Sequence, residues 1–499
     1  MLKATTSRTL PEDVSGVIEA LNSEQGAAGL GRATSGQAPP AAGPGDEPVD
    51  RAFLQDLIRT DAPAWVSRAP GRMDVMGGIA DYSGSLVLQM PIREAAVAVV
   101  QRDESSRFVR LVSPGAIDRS IAFDFQLDDL LNDDRPIDYE SARAFFSTSA
   151  KHGWAAYLGG CFVVLMRECG VRFETGCRIL LDSRVPEGKG VSSSAAIEVA
   201  TMMGICAAYD IDLPARELAI LCQKVENLVV GAPCGIMDQM ASACGEEGRL
   251  LALLCQPAEL LGTVSLPDDL AVWGIDSGIR HAVSGADYGS VRTGAFMGLQ
   301  ILRQITGTPG GAEDPWHGYL ANVTPHQWMA WEQDVPRRQR GSEFLEAYGG
   351  TADPVTQVEA DRDYAVHAPT QHPILEHQRH RIFAELLATE ATPRRNELLG
   401  ELMFQTHASY SLCGLGSDGT DRLAAAVDTK AAREAGLYGA KITGGGSGGT
   451  VAILGDATAA QQVQEIAQVY GRDSGHEPFI FTGSSPGAAQ FGAVRLVPC

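Results

Sequence analysis

The stretch Gly190-Val191-Ser192-Ser193-Ser194-Ala195-Ala196-Ile197-Glu198-Val199-Ala200 decides the reading of this chain. Just ahead of it, Gly188 together with Gly190 allows a tight backbone path close to a ligand. Beyond the three serines, Val199, Met203 and Cys206 fall at i, i+4 and i+7, which predicts a helix starting near Ser193. A helix start leaves its first N–H groups unpaired and carries the positive end of the helix dipole, so loop and helix together form an anion site suited to a triphosphate. Gly188-Lys189-Gly190 lacks the spacing of a Walker A loop. Taken alone, the serines also fit a plain capping role.

Composition narrows the class. The 499 residues, 44% hydrophobic and 20% charged, leave room for two or three domains and a large core. A formal net charge of -22 without clustered Lys and Arg argues against nucleic acid and anionic membrane partners. The densest basic run, Arg337, Arg338 and Arg340, is flanked by Glu332, Asp334 and Glu343 and reads as a solvated mixed-charge surface. Ten cysteines without C-x-x-C pairs point to reduced thiols in a cytoplasmic protein and away from zinc. No signal-like start is present, and no apolar run approaches the roughly 20 residues of a membrane-spanning helix.

Residues 1–50 read as a flexible leader, because 23–48 are rich in Gly, Ala, Pro and Ser and bury too little to offset ordering entropy. Residues 86–100 predict a strand covered on both faces, with Ala95, Val97 and Val99 on one and Ala96, Ala98 and Val100 on the other. Residues 178–182 predict a second strand just before the glycine–serine loop. Pro214 opens a helix whose stripe is Leu218, Cys222, Val225 and Val229, with Glu226 at its border. Residues 309–372 hold several Trp, Pro and His with weak periodicity and read as an insertion of unassigned role.

Two further segments carry chemistry. Ala69-Pro70-Gly71-Arg72-Met73-Asp74-Val75-Met76-Gly77-Gly78-Ile79-Ala80-Asp81-Tyr82 sets a cation and carboxylates in a glycine-punctuated turn. Lys441-Ile442-Thr443-Gly444-Gly445-Gly446-Ser447-Gly448-Gly449 lies near the C-terminus. With the Gly190 loop, these resemble the three signature motifs of the GHMP small-molecule kinases. Glu226-Asn227 followed by Pro233-Cys234-Gly235-Ile236-Met237-Asp238-Gln239 resembles a segment of the galactokinase branch, and residues 77–92, 286–292, 318–323 and 413–423 resemble its L-arabinokinase group.

The resemblance implies an α+β, two-domain GHMP kinase fold, with domains at 51–250 and 251–499 and the active site in the interdomain cleft. It implies ATP- and Mg2+-dependent phosphorylation of the anomeric hydroxyl of L-arabinose, giving β-L-arabinose 1-phosphate. D-Galactose is the alternative substrate, and a catalytically silent sugar and ATP sensor is the alternative from another class. Asp238 would be the base, held ionised by Arg72, which also faces the transferring phosphoryl group. As a plain structural group, Asp238 also fits a helix cap. Ser193 and Glu226 would ligate magnesium, although Glu226 also fits a helix-flank carboxylate paired with Lys224. Gly188, Gly190, Ser192, Ser193, Ser194, Gly445 and Gly446 would hold the nucleotide, and Asp81, Tyr288, Gly78 and Ile79 the sugar.

Galactokinases carry a Glu-His pair at the positions of Gly78 and Ile79, and that pair helps hold the 6-hydroxyl of galactose. Ile79 is accordingly expected to fill the vacated space and favour a sugar without a hydroxymethyl group. Ser447 stands where galactokinases commonly have an aromatic residue, which leaves the local packing open. Members of the L-arabinokinase group can carry a glycosyltransferase-like half upstream; the short leader has no room for one, so this chain is expected to be the kinase part alone.

Overall fold

The computed structural model describes residues 1–23, 30, 51–115, 120–279, 286–308 and 314–499. Strand β3 (Leu86–Asp103) is the axis of the first sheet. Its small and β-branched residues offer no polar face: Ala96, Ala98 and Val100 enter one hydrophobic cluster, Val97 and Val99 another, as the alternation predicts. Antiparallel to β3, β2 (Ala64–Met76) runs along one edge, while β8 (Gly176–Ser183) and β9 (Arg249–Leu254) share the other. β8 pairs in parallel with β4 (Phe108–Val112), while β4 with β5 (Ala122–Gln126) and β9 with β10 (Glu259–Ser265) pair antiparallel. Beyond β2 lie β17 (Ala493–Pro498) and β1 (Leu2–Ala4), completing nine strands among the described residues.

Residues 1–23 are therefore not a leader. Val97 and Val99 need a cover on the outer face, and α1 (Glu12–Asn22) and α2 (Arg51–Leu57) supply it through Val14, Val17, Leu21, Leu54 and Leu57. Arg68 in β2 is buried and gives its Nε to Asp13 Oδ2 at 2.7 Å, so the N-terminal helix also neutralises a charge in the sheet. Residues 24–29 and 31–50, the rest of the expected leader, lie outside the described residues.

A second, antiparallel sheet runs β14 (Leu437–Ile442), β15 (Thr450–Asp456), β11 (Leu270–Asp276), β16 (Ile480–Phe481). The division expected at 250/251 falls inside β9. The first lobe keeps its chain through Ser265 and takes back the last strand, because β17 pairs with β2. Two short ladders, β6 (Leu131–Asn132) with β7 (Arg135–Pro136) and β12 (Arg338–Arg340) with β13 (Asp363–Ala365), stand apart.

Helices α3 (Tyr139–Phe146), α4 (Ala155–Cys169), α5 (Ser193–Ala208), α6 (Ala215–Lys224) and α7 (Met237–Cys244) belong to the first lobe. α5 is apolar nearly all round, which fits its burial against β2 and β3. Between the lobes, α8 (Ala286–Thr306), α9 (Pro325–Trp331), α10 (Gly341–Tyr348), α11 (His367–Leu387) and α12 (Pro393–Leu412) surround a separate cluster. The described part of the 309–372 segment folds into that cluster, where Trp316, Trp328, Phe344 and Tyr364 pack with Tyr82, Tyr288 and Tyr410. A capping box at Thr324 and Gln327, with Pro325 at the first helical position, was the local signal for α9. No helix among the described residues is long and apolar enough to cross a membrane.

Candidate active site

α5 begins at Ser193, where the sequence places it, and its N-cap Ser192 takes a left-handed φ of 61°. Gly188 and Gly190 precede it at φ 69° and 68°, a path few side chains tolerate. The loop carbonyls are engaged by protein donors. Lys189 O accepts from Thr450 Oγ1 at 2.8 Å; Gly190 O accepts from Thr443 Oγ1 and Arg72 Nη1, both at 2.7 Å; Val191 O accepts from Arg72 N at 3.0 Å. The amide N–H groups and the positive helix end are what remain for an anion. Lys189 Nζ meets Asp276 Oδ2 at 2.6 Å, fastening the loop to the second sheet. Gly444 and Gly449 pack so closely on the loop that a Cβ at either would lie within 3 Å of its carbonyls.

A cleft of about 1120 Å³ opens beside this loop. It is lined by Arg72, Gly78, Ile79, Asp81, Gly188, Gly190, Ser192, Ser193, Ser194, Glu226, Asp238, Tyr288 and Gly445. Gly446 is the exception among the expected site residues, being packed against Leu415 and Tyr410. Ser447, also left-handed at φ 57°, gives its N–H to Leu415 O, so a backbone bond orders the position where an aromatic residue was missing.

Arg72 and Asp238 meet at the centre. Arg72 donates from Nε and Nη2 to Asp238 Oδ1 at 3.0 and 2.8 Å. The guanidinium is 2% exposed and the carboxylate, in the first turn of α7, 21%. Burial works against the charge on Arg72, but Asp238 and Asp74 outweigh it.

Asp81 sits 4% exposed in the tight turn Gly78–Ser83. Its Oδ2 accepts from Met237 N at 3.4 Å, and its Oδ1 is buried without a partner among the described residues. Burial, then the charge of Asp238, pushes its carboxyl up to about 6. Gly235 has no room for a Cβ because the Asp81 carboxylate lies there. Tyr288 is 7% exposed and stands edge-on to Tyr82, with ring centroids 6.1 Å apart.

Gly78 and Ile79 both line the cleft, where other groups crowd position 78. Gly78 has φ +59°, and a Cβ there would lie 3.1 Å from Tyr410 Cε2 and 3.2 Å from His372 Nε2. Ile79 itself is 1% exposed and packs in the cluster with Tyr288, Tyr410 and Ile374. His372 and Tyr410 come from α11 and α12, so no local pattern around Gly78 announces them.

Glu226 is not a helix-flank residue paired with Lys224, whose ammonium goes to Glu168. A π-helical turn, Val225–Val230, follows α6 and carries Glu226 inward to 3% exposure. Burial, then Asp238, pushes its carboxyl up to about 7, with a hydrogen bond to Ser194 acting the other way. Ser193 and Ser194 line the cleft together with Glu226, whose Oε2 accepts from Gln239 Nε2 at 2.6 Å. A buried carboxyl among like charges and serine hydroxyls fits a hard divalent cation whose other ligands are phosphate and water. Among the described residues, no three His, Cys, Asp or Glu side chains cluster as a protein-only metal site.

The sequence reading missed an ion pair. Lys441 Nζ donates to Asp74 Oδ2 at 2.9 Å, and both side chains are 0% exposed. Burial would raise the Asp74 carboxyl, but Lys441 and Arg72 hold it below the usual carboxylate range. Gly78 N bonds the same Asp74 oxygen at 3.0 Å, linking pair and turn. The signal was a lysine in the apolar run Ala440-Lys441-Ile442, which needs a buried partner.

An anion-binding loop clasped between two sheets and hydrogen-bonded to an Arg–Asp pair that lines the same cleft defines the two-lobed small-molecule kinase class. Family comparison agrees: residues 156–246 match the GHMP kinases N terminal domain, 383–472 the GHMP kinases C terminal, and 53–102 the galactokinase galactose-binding signature. The L-arabinokinase of Arabidopsis thaliana is 47% identical over 90% of this chain, and the chain spans 48% of that relative's length. A galactokinase of Streptomyces coelicolor is 30% identical over 81% of this chain and 88% of its own. The fold is shared with Lactococcus lactis galactokinase in complex with galactose, at a TM-score of 0.67 and 19% identity, over 88% of this chain and 97% of that one. The chain belongs to the GHMP kinases, within their galactokinase branch.

Proposed function

We propose that this chain transfers the γ-phosphoryl group of ATP to the anomeric hydroxyl of L-arabinose, giving β-L-arabinose 1-phosphate and ADP. The observation that carries the proposal is the Arg72–Asp238 pair. Both guanidinium N–H groups take Oδ1, leaving Oδ2 for a hydroxyl in the cleft. Asp238 Oδ2 accepts the hydroxyl proton as the new O–P bond forms, and Arg72 offsets the charge spread over the phosphoryl oxygens. The amides around Ser192 and Ser193 take the phosphates of ATP.

Magnesium, bound with the nucleotide, would neutralise phosphate charge, and Glu226 with the hydroxyls of Ser193 and Ser194 would hold it. Asp81, with an unsatisfied buried oxygen, accepts from a sugar hydroxyl, and Tyr288 walls the same end of the cleft. The choice of L-arabinose is supported by the Arabidopsis relative and by Gly78, where φ +59° and the nearness of Tyr410 and His372 disfavour the glutamate of galactokinases. All ten cysteines are free, in keeping with a reducing cytoplasm.

ATP consumption measured against L-arabinose, D-galactose, D-fucose and glucuronate tests the proposal. A kcat/KM preference for L-arabinose over D-galactose of about 10-fold or more is expected. Equal or better use of D-galactose makes the chain a galactokinase, and sugar and ATP binding without turnover makes it a sensor.

A further inference from the structure

Beneath the cleft, two carboxyl groups share one amide. Gln239 Nε2 donates to Glu226 Oε2 at 2.6 Å and to Glu198 Oε2 at 3.2 Å. Glu198 and Gln239 are both 0% exposed, and neither carboxyl has an ion-pair partner among the described residues. Glu198 lies in α5, five residues after Ser193, and Gln239 follows Asp238 in α7. The helix that starts the anion loop and the helix that carries the candidate base therefore converge on Glu226 through one side chain.

A fully buried carboxyl without a cation is costly, and an apolar residue would fill the same place in α5 more cheaply. Glu198 does something an apolar residue cannot: it accepts one of the two amide protons of Gln239. Because an amide is planar, fixing one N–H fixes the direction of the other. Burial, then the charge of Glu226, pushes the Glu198 carboxyl well above its ordinary value.

We propose that Glu198 and Gln239 are positioning residues, with Gln239, oriented by Glu198, setting the direction in which Glu226 faces the cleft. The inference rests on the proposed role of Glu226 toward the nucleotide's cation. Supporting groups of this kind are commonly worth 10- to 100-fold in metal affinity.

The test titrates Mn2+ binding to the full chain with ADP present, followed by electron paramagnetic resonance, alongside sugar KM. Gln239→Leu and Glu198→Leu are expected to weaken Mn2+ binding by about 10-fold while sugar KM stays within about twofold. Glu198→Gln, whose carbonyl still accepts the Gln239 N–H, is expected to retain binding. If a leucine variant does not fold, Gln239→Asn, which shortens the amide by one methylene, carries the same expectation. Wild-type Mn2+ affinity in the Gln239 variants, or equal losses in Glu198→Gln and Glu198→Leu, overturns the inference. Glu226→Gln separates the two levels. If it too binds Mn2+ normally, the role of Glu226 is wrong; if it alone loses binding, only the positioning role is wrong.

Discussion

Arg72 and Asp238 are joined through a single carboxylate oxygen, Oδ1, by two N–H groups at 2.8 and 3.0 Å. A side-on pairing of this kind differs from the two-oxygen fork that arginine usually makes, in which both carboxylate oxygens are consumed. Here one oxygen anchors the carboxylate and the other remains for chemistry.

Asp238→Asn is expected to lower kcat by about 10²-fold or more while ADP binding stays nearly unchanged, since general-base contributions are of that size. Single-turnover rates and ADP titrations of the variant measure the two terms. Turnover near the wild-type rate would remove Asp238 from the base role.

Asp81 has a folded-state value of about 6 against an ordinary 3.8, so its protonated form is favoured in the fold. The sign follows: no penalty exists below about pH 4, a penalty grows as pH rises toward 6, and it is complete above that. A shift of this size corresponds to about 3 kcal/mol. Asp81→Asn should therefore stabilise the sugar-free protein at pH 7 and not at pH 4, while raising sugar KM. Urea midpoints at the two pH values read the effect, and equal changes at both would contradict it.

Lys441→Met leaves Asp74 buried without its cation and is expected to cost about 3–5 kcal/mol. Adding Asp74→Asn should recover part of that loss, because the uncompensated charge is then gone. Denaturant unfolding of the single and double variants gives the coupling.

Asp13→Ala is expected to cost a similar amount, about 3–5 kcal/mol, because Arg68 loses its carboxylate in a buried setting. From the sequence, residue 13 falls in the expected flexible leader, where a substitution costs little stability. The docking of α1 on β3 reverses that expectation, and the melting temperature of the variant decides it.

Restoring a Glu-His pair by Gly78→Glu and Ile79→His looks, from sequence, like a route to galactose use. The fold predicts a different outcome. A side chain at 78 meets Tyr410 and His372 at once and needs φ +59°, so the double variant should be strongly destabilised without gaining galactose activity. Soluble yield, thermal unfolding and the galactose rate of the double variant check it.

The sequence by itself determined whatever is carried by short-range pattern. The glycine–serine loop, the start of α5 at Ser193, the two-faced strand β3 and the Arg72, Asp81 and Asp238 positions were all legible, since φ preferences, side-chain period and motif chemistry act within a few residues. Only the tertiary structure decided what depends on partners far along the chain. Lys441 of the second sheet finds Asp74 of the first, His372 and Tyr410 pack beside Gly78, Gln239 joins Glu226 to Glu198, and α1 covers Val97 and Val99. A both-faces-buried strand announces that a cover must exist, but not which segment provides it. Buried charge behaves in the same way: desolvation demands a partner, and only the fold says where that partner comes from.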